Sequence, residues 1–434
     1  MFRICVITAA HLSGCPRMLK AADSFRRAGY QVRVVSTNCE PWAKEADRQL
    51  DAGRELNWTI VDYSRASANS VRLLTGARFR IARRLAKLAG PQRLSLPVLG
   101  RATGRVFPEL VRAACARPAD FFYGGGSALA ATEAAARQMH VPFAVDLEDL
   151  HSDQCIPDSA DGRLANALGE AAERRVFREA AFITTASDGI ADAYEEKYGT
   201  RPVVTNNTFP LPQRQPDFSR RNGSALRFYW FSQSIGCDRG LEEFVQAAGL
   251  AGIGCELHLR GKPVGMYLAG LRELAARSAP NLTIVHHDPA PPDQMIELCR
   301  GFDVGLALER ADDTRSRALC LSNKALTYIL AGLAVVFTDT PGQRRLALDL
   351  GPGALLYKSG DVRALADGLK AWAGDDASLL AARKAAWAAA CRRWHWQHPE
   401  EEGALLRAVK AVASRNLSQE RTPDDLHCNF KTSV

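Results

Sequence analysis

Short β-branched runs alternate with helical segments along most of this 434-residue chain. The first run, residues 4–8, leads through a Gly/Pro loop into a helical segment at residues 18–28, and Gly29 precedes a second run at residues 32–36. This strand–helix–strand order favours a right-handed crossover, and the pattern therefore predicts an α/β protein with parallel sheets. Further strands are predicted at residues 120–123, 143–147, 181–184, 226–231, 256–259, 282–286, 304–308 and 335–338.

A change in composition near the middle divides this pattern into two series of strands and helices. Residues 206–224 hold several prolines and polar residues, which is typical of a linker. We predict an N-terminal domain at residues 1–205 and a C-terminal domain at residues 225–394, both Rossmann-like and facing a cleft. The chain then loses its periodicity, and residues 414–434 are predicted to be a polar tail.

The net charge of +8, from 56 basic and 48 acidic residues, has one local source. Residues 63–108 contain ten Arg or Lys and no Asp or Glu, so removing them from the net charge leaves −2. The positive charge therefore belongs to one basic insertion, at about residues 63–112, and the rest of the protein is close to neutral.

Within this insertion we predict an amphipathic helix at residues 71–89. At 100° per residue, apolar residues gather on one side and cations on the other. This arrangement favours an anionic membrane surface as a partner, because each nearby cation adds about 1 kcal/mol to binding. A helix packed on its own domain with solvated arginines is the alternative, and nucleic acid is not expected because no nucleic-acid module matches. The apolar side is Leu74, Ala77, Ile81, Leu85 and Leu88, and the basic side is Arg80, Arg83, Arg84 and Lys87.

Cysteine usage and hydropathy bear on the cellular location. The eleven cysteines are scattered without metal-ligand spacing, which favours reduced thiols, a cytoplasmic protein and no metal site. The N-terminus runs directly into an apolar strand and lacks the features of a signal peptide. No apolar stretch approaches about 18 residues. We therefore expect a cytoplasmic protein, attached at most peripherally to the inner face of the cell membrane.

One candidate ligand site lies in the second half of the chain. Ser322 stands where an N-cap is expected, a helix is predicted at residues 323–331, and Gly332 ends it. The free N–H groups and positive dipole at the helix start, together with Lys324, suit an anion such as a diphosphate. An ordinary α/β helix with a solvated lysine fits the same residues.

A second candidate site follows the predicted strand at residues 143–147. Asp146, Glu148, Asp149 and His151 cluster there, and ligands of α/β sheets bind at the carboxyl ends of the strands. Such carboxylates can orient the hydroxyl groups of a ligand, and the histidine can polarise one. A hydrophilic loop that caps the next helix is the alternative.

Two other sequence features suggest binding sites. Arg17 and Lys20, after the first strand, can bind a phosphate group, although Lys20 also fits a solvated helix position. Residues 123–127 form a glycine-rich turn between a strand and a helix. That turn is not GxGxxG and no acidic residue follows at the expected distance, which disfavours a nicotinamide-dependent oxidoreductase.

Six segments share their order and residue types with one enzyme family. They are residues 15–20, 145–152, 239–242, 257–261, 304–343 and 393–396. In these segments the chain resembles the GT-B glycosyltransferases, and most closely the GT4-like "glycosyl transferases group 1" enzymes. The resemblance implies two Rossmann-like domains and a last helix, at residues 395–413, that crosses back onto the first domain.

The resemblance also implies a role for each candidate residue. A nucleotide-diphosphate leaving group gains charge as the glycosidic bond breaks, so cations must meet it. Arg239 and Lys324 are expected to do so, and Asp146 and Glu148 are the other residues expected to be catalytic. The donor is expected to contact Gln233, Arg260, Gly261, Glu309, Ser322, Asn323 and Thr327, and the acceptor is expected to contact Arg17, Lys20 and His151.

Three positions depart from the family pattern: Gln233, where the family has a basic residue, and two acidic positions of the second domain. GT4-like enzymes commonly carry two acidic residues in this region, the second of which binds the donor ribose, and here these positions are Leu319 and Thr327. A hydroxyl makes a weaker hydrogen bond to ribose than a carboxylate does. The departures keep an alternative open, a non-catalytic GT-B protein that acts as a binding partner in a surface-glycan assembly complex.

The resemblance implies the following activity. We expect a glycosyltransferase that moves a sugar from a nucleotide-sugar donor to a sugar or lipid-linked acceptor, in the synthesis of a cell-surface polysaccharide or glycolipid. The reaction is expected to be retaining and independent of metal, and no cofactor is expected, because the nucleotide-sugar is itself a substrate.

Overall fold

The structure is a computed structural model that describes residues 1–39, 41–52, 54, 57–65, 69–219, 225–310 and 314–419. In this part of the chain the strands form two sheets. The first contains β1 (Arg3–Thr8), β2 (Gln31–Asn38), β3 (Asn57–Asp62), β4 (Phe121–Gly125), β5 (Phe143–Leu147), β6 (Ile183–Thr185) and β7 (Val203–Val204). The second contains β8 (Leu226–Ile235), β9 (Cys255–Pro263), β10 (Leu282–His287), β11 (Val304–Ala307), β12 (Ala334–Thr338) and β13 (Ala354–Tyr357).

Both sheets are parallel and doubly wound. The strand orders are β3-β2-β1-β4-β5-β6-β7 and β10-β9-β8-β11-β12-β13. The strand order reverses between β1 and β4 in the first sheet and between β8 and β11 in the second. At such a reversal a crevice opens outside the carboxyl ends of the strands, which is where ligands of these folds bind.

Helices cover the faces of both sheets. In the first half they are α1 (Pro16–Arg27), α2 (Pro41–Ala52), α3 (Asn69–Ala89), α4 (Leu96–Thr103), α5 (Phe107–Cys115), α6 (Leu129–Met139), α7 (Ala160–Glu179) and α8 (Asp188–Tyr198). In the second half they are α9 (Leu241–Ala251), α10 (Tyr267–Ser278), α11 (Met295–Cys299), α12 (Arg315–Leu319), α13 (Asn323–Leu330), α14 (Pro341–Leu350), α15 (Val362–Gly374), α16 (Asp376–Arg392) and α17 (Glu402–Gln419).

The predicted fold class is confirmed, and each predicted strand is present with its bounds shifted by a few residues at most. The prediction missed β3, β7 and β13. β3 lies at the edge of its sheet and is largely exposed, and β7 has only two residues, so neither gives a strong apolar signal. The predicted linker and tail lie partly outside the described residues, at residues 220–224 and 420–434.

The last helix crosses back onto the first domain, as the resemblance implied, but its predicted bounds are wrong. It is α17, which begins at Glu402 and continues to Gln419. Leu405 and Val409 of this helix belong to the buried apolar cluster of the first domain, where the helix contacts α1 and β7. Just before it, the Trp396 indole N–H donates to Ser24 Oγ on α1 at 3.0 Å. The chain therefore passes between the sheets a second time, and helix replaces the first part of the predicted tail.

The helix of the basic insertion is present as α3, but its packing differs from the prediction. Small residues face the domain, since Thr75, Ala82 and Ala86 are buried. The predicted apolar side points outward instead, and Ile81 and Leu88 are 56% and 85% exposed. Close packing on small side chains lets α3 approach its neighbours while its larger side chains stay in solvent.

The residues of the predicted basic side of α3 lie in two different environments, one beside α7 and one on the exposed face. Arg83 and Lys87 face Asp161 of α7, with nitrogen–oxygen distances of 3.9 and 3.0 Å. Arg80 and Arg84 are exposed on the outward face, among the apolar residues. In the described part of the chain, no helix combines the length and apolar character that a membrane span requires.

A buried ion pair joins the first domain to the connector, which is the segment at residues 205–219 that follows β7. The Arg17 guanidinium donates to both carboxylate oxygens of Asp146, at 2.7 and 2.6 Å, and also to the Thr205 carbonyl oxygen at 2.7 Å. Thr184 Oγ1 donates to the same carboxylate at 2.6 Å. One side chain of α1 therefore fixes the end of β5 and the start of the connector together.

We predict that Arg17→Met strongly destabilises the first domain. Removing one partner leaves the Asp146 carboxylate buried without a cation, which costs about 3–5 kcal/mol. Urea denaturation measures the loss in the free energy of unfolding. Arg174→Met is the matched control, because the Arg174–Glu170 pair is exposed and worth less than about 1 kcal/mol. An equal loss in both variants would contradict the prediction.

Candidate active site

The carboxyl ends of the two sheets are joined by α12. The Leu150 N–H, after β5, donates to Ser316 Oγ at 3.2 Å, and Ser187 Oγ donates to the Leu319 carbonyl oxygen at 2.7 Å. Parallel strands place the loops that follow them at one edge of the sheet, which is where α/β proteins bind ligands. These contacts bring the ligand-binding edge of one domain against that of the other.

Cys320 marks the place where charged groups of both domains come close. Burial raises the pKa of its thiol well above the ordinary value, and the charges of Asp149, Glu309 and Glu148 add to this effect while Lys324 opposes it. Two of these carboxylates follow β5 and the third follows β11. The structure therefore gathers predicted site residues from the two domains around one point of the cleft.

On the C-terminal side, Lys324 and Glu309 form a shielded ion pair. The Lys324 ammonium lies 2.7 Å from Glu309 Oε1, and Ser322 Oγ donates to the same oxygen at 3.0 Å. Burial alone would raise the pKa of Glu309, but Lys324 and Ser322, with Arg239 farther away, lower it to about 2. The lysine also lies 5.6 Å from the centre of the Trp230 ring. These contacts hold one cation in place at the start of α13.

The charge of Arg239 reaches this pair because of a glycine. Gly240 adopts the left-handed conformation, with φ of 69°, where α9 begins. A side chain there would meet Leu308, whose Cβ would be 2.7 Å from the added carbon. Glycine therefore lets the start of α9 approach the end of β11, so that the charge of Arg239 reaches Glu309. Gln233, the other residue predicted here, is exposed near the end of β8.

Arg260 and Gly261 occupy the end of β9. The Arg260 guanidinium donates to the Tyr229 hydroxyl and to the Asp288 carbonyl oxygen, both at 2.7 Å. A Cβ on Gly261 would lie 2.3 Å from the Ser232 carbonyl oxygen, so only glycine fits. Both residues keep the edges of β8 and β9 close together beside the cleft, and Arg260 remains partly exposed there.

Two predictions about α13 need correction. Thr327 is buried, and its hydroxyl donates to the Asn323 carbonyl oxygen at 2.9 Å within the helix, so it is not available to a ribose. Ser322 occupies the N-cap position, but its hydroxyl binds Glu309 and caps no helix N–H. Asn323 is exposed in the first turn. The start of α13 therefore keeps backbone donors free of side-chain capping.

On the N-terminal side, Glu148 is the carboxylate with the most altered chemistry. Burial raises its pKa to about 7, and the charges of Asp149 and Asp146 add to this, while Arg17 and Lys20 oppose it. Asn207 of the connector donates to its Oε1 at 3.2 Å. Near neutral pH this carboxyl group can either donate or accept a hydrogen bond.

Asp149 and His151 complete this side of the cleft. Burial raises the pKa of Asp149, and His151 is the largest opposing influence. Gln154 donates to Asp149 at 2.9 Å. The Nε2 atom of His151 is buried, and in the described part of the chain it has no hydrogen-bond partner. That unpaired nitrogen keeps His151 among the acceptor-side candidates.

The predictions for three residues of the first domain need correction, because their polar groups are already used. Arg17 and Asp146 are buried and paired with each other. The Lys20 ammonium donates to Asn207 Oδ1 at 2.9 Å and to the Thr208 carbonyl oxygen, and burial lowers its pKa to about 7. None of these groups faces an open ligand site, so we assign them to positioning the connector.

Asn207 and Trp230 are site residues that the sequence did not indicate. Asn207 lies in a stretch that reads only as linker, although two adjacent asparagines among prolines are a signal for a fixed turn. Trp230 lies in an apolar strand and is buried in the core, where its ring centre lies 5.6 Å from the Lys324 ammonium. Among the described residues, no group of three or more His, Cys, Asp or Glu is arranged to hold a metal ion.

We predict that Glu148→Gln changes how stability depends on pH. A carboxyl group whose pKa is higher in the folded than in the unfolded state stabilises the fold at low pH, and this contribution is lost as pH rises from about 4.5 to about 7. The variant should therefore gain up to about 3 kcal/mol relative to the unchanged protein between pH 4.5 and 8. Urea denaturation at both values measures this, and a constant difference would contradict it. Glu273→Gln, at an exposed position on α10, controls for net charge.

Comparison with known proteins gives one sequence match and several similar folds. Residues 16–207 match the glycosyl transferase 4-like domain. No curated protein matches the chain.

The similar folds extend over nearly the whole chain. Anabaena HepE, solved with UDP, has a TM-score of 0.63 and 14% identity, with 96% of this chain and 100% of that one covered. A glycosyltransferase from Rickettsia africae has a TM-score of 0.60 and 12% identity, with 96% and 98% covered. A variant of Staphylococcus aureus TarM, solved with fondaparinux, α-GlcNAc-glycerol and UDP, has a TM-score of 0.61 and 6% identity, with 95% and 99% covered.

At these identities the structures establish the fold, and the sequence match adds the domain family. The predicted resemblance is confirmed: the chain has a GT-B fold, and its residues 16–207 match the glycosyl transferase 4-like domain.

Proposed function

We propose that this glycosyltransferase uses a nucleotide-sugar donor, with the donor diphosphate at the start of α13. The observation that carries the proposal is the position of Lys324, held by Glu309 at the helix N-terminus in the same cleft as Glu148. Lys324, Arg239 and the uncapped N–H groups of the helix suit a diphosphate. HepE has been solved with UDP and with UDP-glucose, which supports a UDP-sugar as the first donor to test.

The proposed reaction retains the configuration of the sugar. The acceptor hydroxyl attacks the anomeric carbon on the face from which the diphosphate leaves, and its proton passes to the departing diphosphate. The electron pair of the broken carbon–oxygen bond stays on the diphosphate oxygen, so negative charge grows there. Lys324 and Arg239 stabilise that charge from fixed positions. Neither a metal ion nor a cofactor takes part in this proposal.

The acceptor hydroxyl lies on the Glu148 side of the cleft in this proposal. Since the pKa of Glu148 is about 7, the carboxyl group can donate or accept a hydrogen bond with a sugar hydroxyl near neutral pH. Asn207 fixes its orientation. A sugar or lipid-linked acceptor, used to build a cell-surface polysaccharide or glycolipid, completes the proposed reaction.

We predict that one nucleotide-sugar binds and that Lys324→Met weakens this binding at least about tenfold, which corresponds to about 1.4 kcal/mol. Isothermal titration with UDP-, GDP-, dTDP- and CMP-sugars identifies the donor and measures its Kd. Lys370→Met, an exposed lysine on α15, is the matched control and should leave the Kd unchanged. Lys324→Met/Glu309→Gln removes both charges of the buried pair, so weak binding by this double variant points to the missing cation and not to misfolding.

A non-catalytic binding protein is the second candidate, and the burial of Thr327 favours it. With Leu319 and Thr327 at the acidic positions of the family, and the Thr327 hydroxyl bonded within α13, no side chain at either position can hold a ribose as a carboxylate would. If no nucleotide-sugar in the titration binds the unchanged protein, the donor proposal fails and this second candidate gains support.

We propose further that the outward face of α3 binds an anionic membrane surface, and that the protein works there on the cytoplasmic side. Leu73, Ile81 and Leu88 are exposed on this face together with Arg80 and Arg84. Exposed apolar side chains interleaved with arginines insert between lipids while the cations meet the anionic headgroups. The surrounding segment, residues 63–108, contains no acidic residue to oppose that attraction.

We predict that Arg80→Gln/Arg84→Gln weakens binding to vesicles that contain phosphatidylglycerol. Two cations near the surface contribute about 2 kcal/mol, so the partition coefficient should fall roughly 30-fold. Vesicle sedimentation measures the partition coefficient. Arg272→Gln/Arg277→Gln on α10 is a control with the same charge change at exposed positions. Equal binding by both double variants would refute the role of α3.

A further inference from the structure

A cavity of about 210 Å³ lies between the carboxyl edge of the first sheet and the basic insertion. Ala9, after β1, and Ser127, after β4, line one wall. Phe79 of α3 and the segment from Gly100 to Leu110 line the other. The insertion therefore does more than place charge on the surface, because it encloses a cavity at the carboxyl edge of the sheet, where ligands of this fold bind.

The cavity is a short distance from the proposed acceptor hydroxyl. Thr8, Gly125 and Asp146 stand side by side across β1, β4 and β5. Neighbouring strands lie about 4.8 Å apart, so β1 and β5 are separated by about 10 Å. Ala9 follows directly after Thr8, and Glu148 lies two residues after Asp146. A sugar joined to a phosphate can span this distance.

The walls of the cavity are mainly apolar. Phe79, Val106, Phe107 and Leu110 contribute aromatic and aliphatic surface, and Ala131 of α6 closes the chamber. An apolar cavity of about 150 Å³ already holds a benzene ring. The dimensions and the surface therefore suit a short hydrocarbon segment better than a polar sugar.

Arg105 supplies a cation at this mainly apolar site. Its guanidinium donates to Thr75 Oγ1 at 3.1 Å and to the Arg72 carbonyl oxygen at 2.5 Å, and it lies 5.6 Å from the centre of the Tyr63 ring. Among the ion pairs formed by described residues, none includes Arg105. A preorganised guanidinium without a carboxylate partner beside an apolar chamber suits a phosphate attached to a hydrocarbon chain.

We propose that this cavity binds the first hydrocarbon segment of a lipid-linked acceptor and that Arg105 binds the phosphate joined to it. The proposal rests on the proposed function and specifies the class of its acceptor. α3 forms both a wall of the cavity and the outward face with Ile81 and Leu88, so the proposed membrane-binding face and the cavity lie on two sides of one helix. The sugar end of the acceptor then extends along the sheet edge toward Glu148.

Farnesyl phosphate and methyl phosphate test this proposal without a donor. Isothermal titration of the full-length protein should show saturable binding of farnesyl phosphate and none of methyl phosphate. Ala131→Leu, which fills the cavity, and Arg105→Gln should each weaken that binding at least tenfold. The controls Ala134→Leu, on the same helix outside the cavity lining, and Arg112→Gln, an exposed arginine of the insertion, should change it less than twofold.

The possible results are distinguishable. Absence of farnesyl phosphate binding, or equal binding by Ala131→Leu and Ala134→Leu, overturns the cavity site, and the latter result would place the lipid on the outward face of α3. Should Ala131→Leu misfold, the comparison of Arg105→Gln with Arg112→Gln decides the question. Each variant is also titrated with the nucleotide-sugar that the unchanged protein binds, and this binding does not depend on the cavity. Loss of nucleotide-sugar binding therefore indicates a failed donor proposal, and loss of farnesyl phosphate binding alone indicates a failed acceptor proposal.

Discussion

The buried ion pair between Arg17 and Asp146 is the interaction on which the rest of the cleft depends. Its guanidinium also binds the carbonyl oxygen of Thr205, so one side chain ties α1, β5 and the connector into a single unit. Two residues farther along, Asn207 reaches Glu148. A buried ion pair adds little net stability, but it disfavours arrangements that separate its partners. The position of the connector, and with it the environment of Glu148, follows from that requirement.

The second domain also contains a shielded ion pair, but this pair positions a cation. Glu309 holds Lys324 beside the start of α13, where a helix dipole and Arg239 also favour negative charge. A cation that is already positioned and partly desolvated needs little reorganisation when a leaving group gains charge. The carboxylate that keeps the lysine in place also opposes anion binding, so the proposed diphosphate would bind less tightly in the ground state while the position of the cation stays fixed.

The sequence predicts the strands and the placement of polar residues at strand ends well, because both follow from local periodicity and from the topology of parallel sheets. It predicts less about which polar groups remain available. Thr327 and Arg17 have suitable chemistry at suitable positions, yet their hydrogen bonds are made within the protein. The prediction of the orientation of α3 fails for a related reason. A helical wheel assigns the largest side chains to the core, whereas Ala82 and Ala86 are the residues buried against the domain.

The orientation of α3 changes how the positive net charge of the protein is interpreted. An arginine-rich face turned to solvent, with leucines packed inside, would be an ordinary solvated helix, and the net charge would carry no functional information. Here the leucines and the free arginines share the outer face, while the inner face helps to enclose a cavity at the sheet edge. The acceptor would then approach from the α3 side and the donor from the second domain. The two substrates would meet at Glu148 without competing for the same entrance.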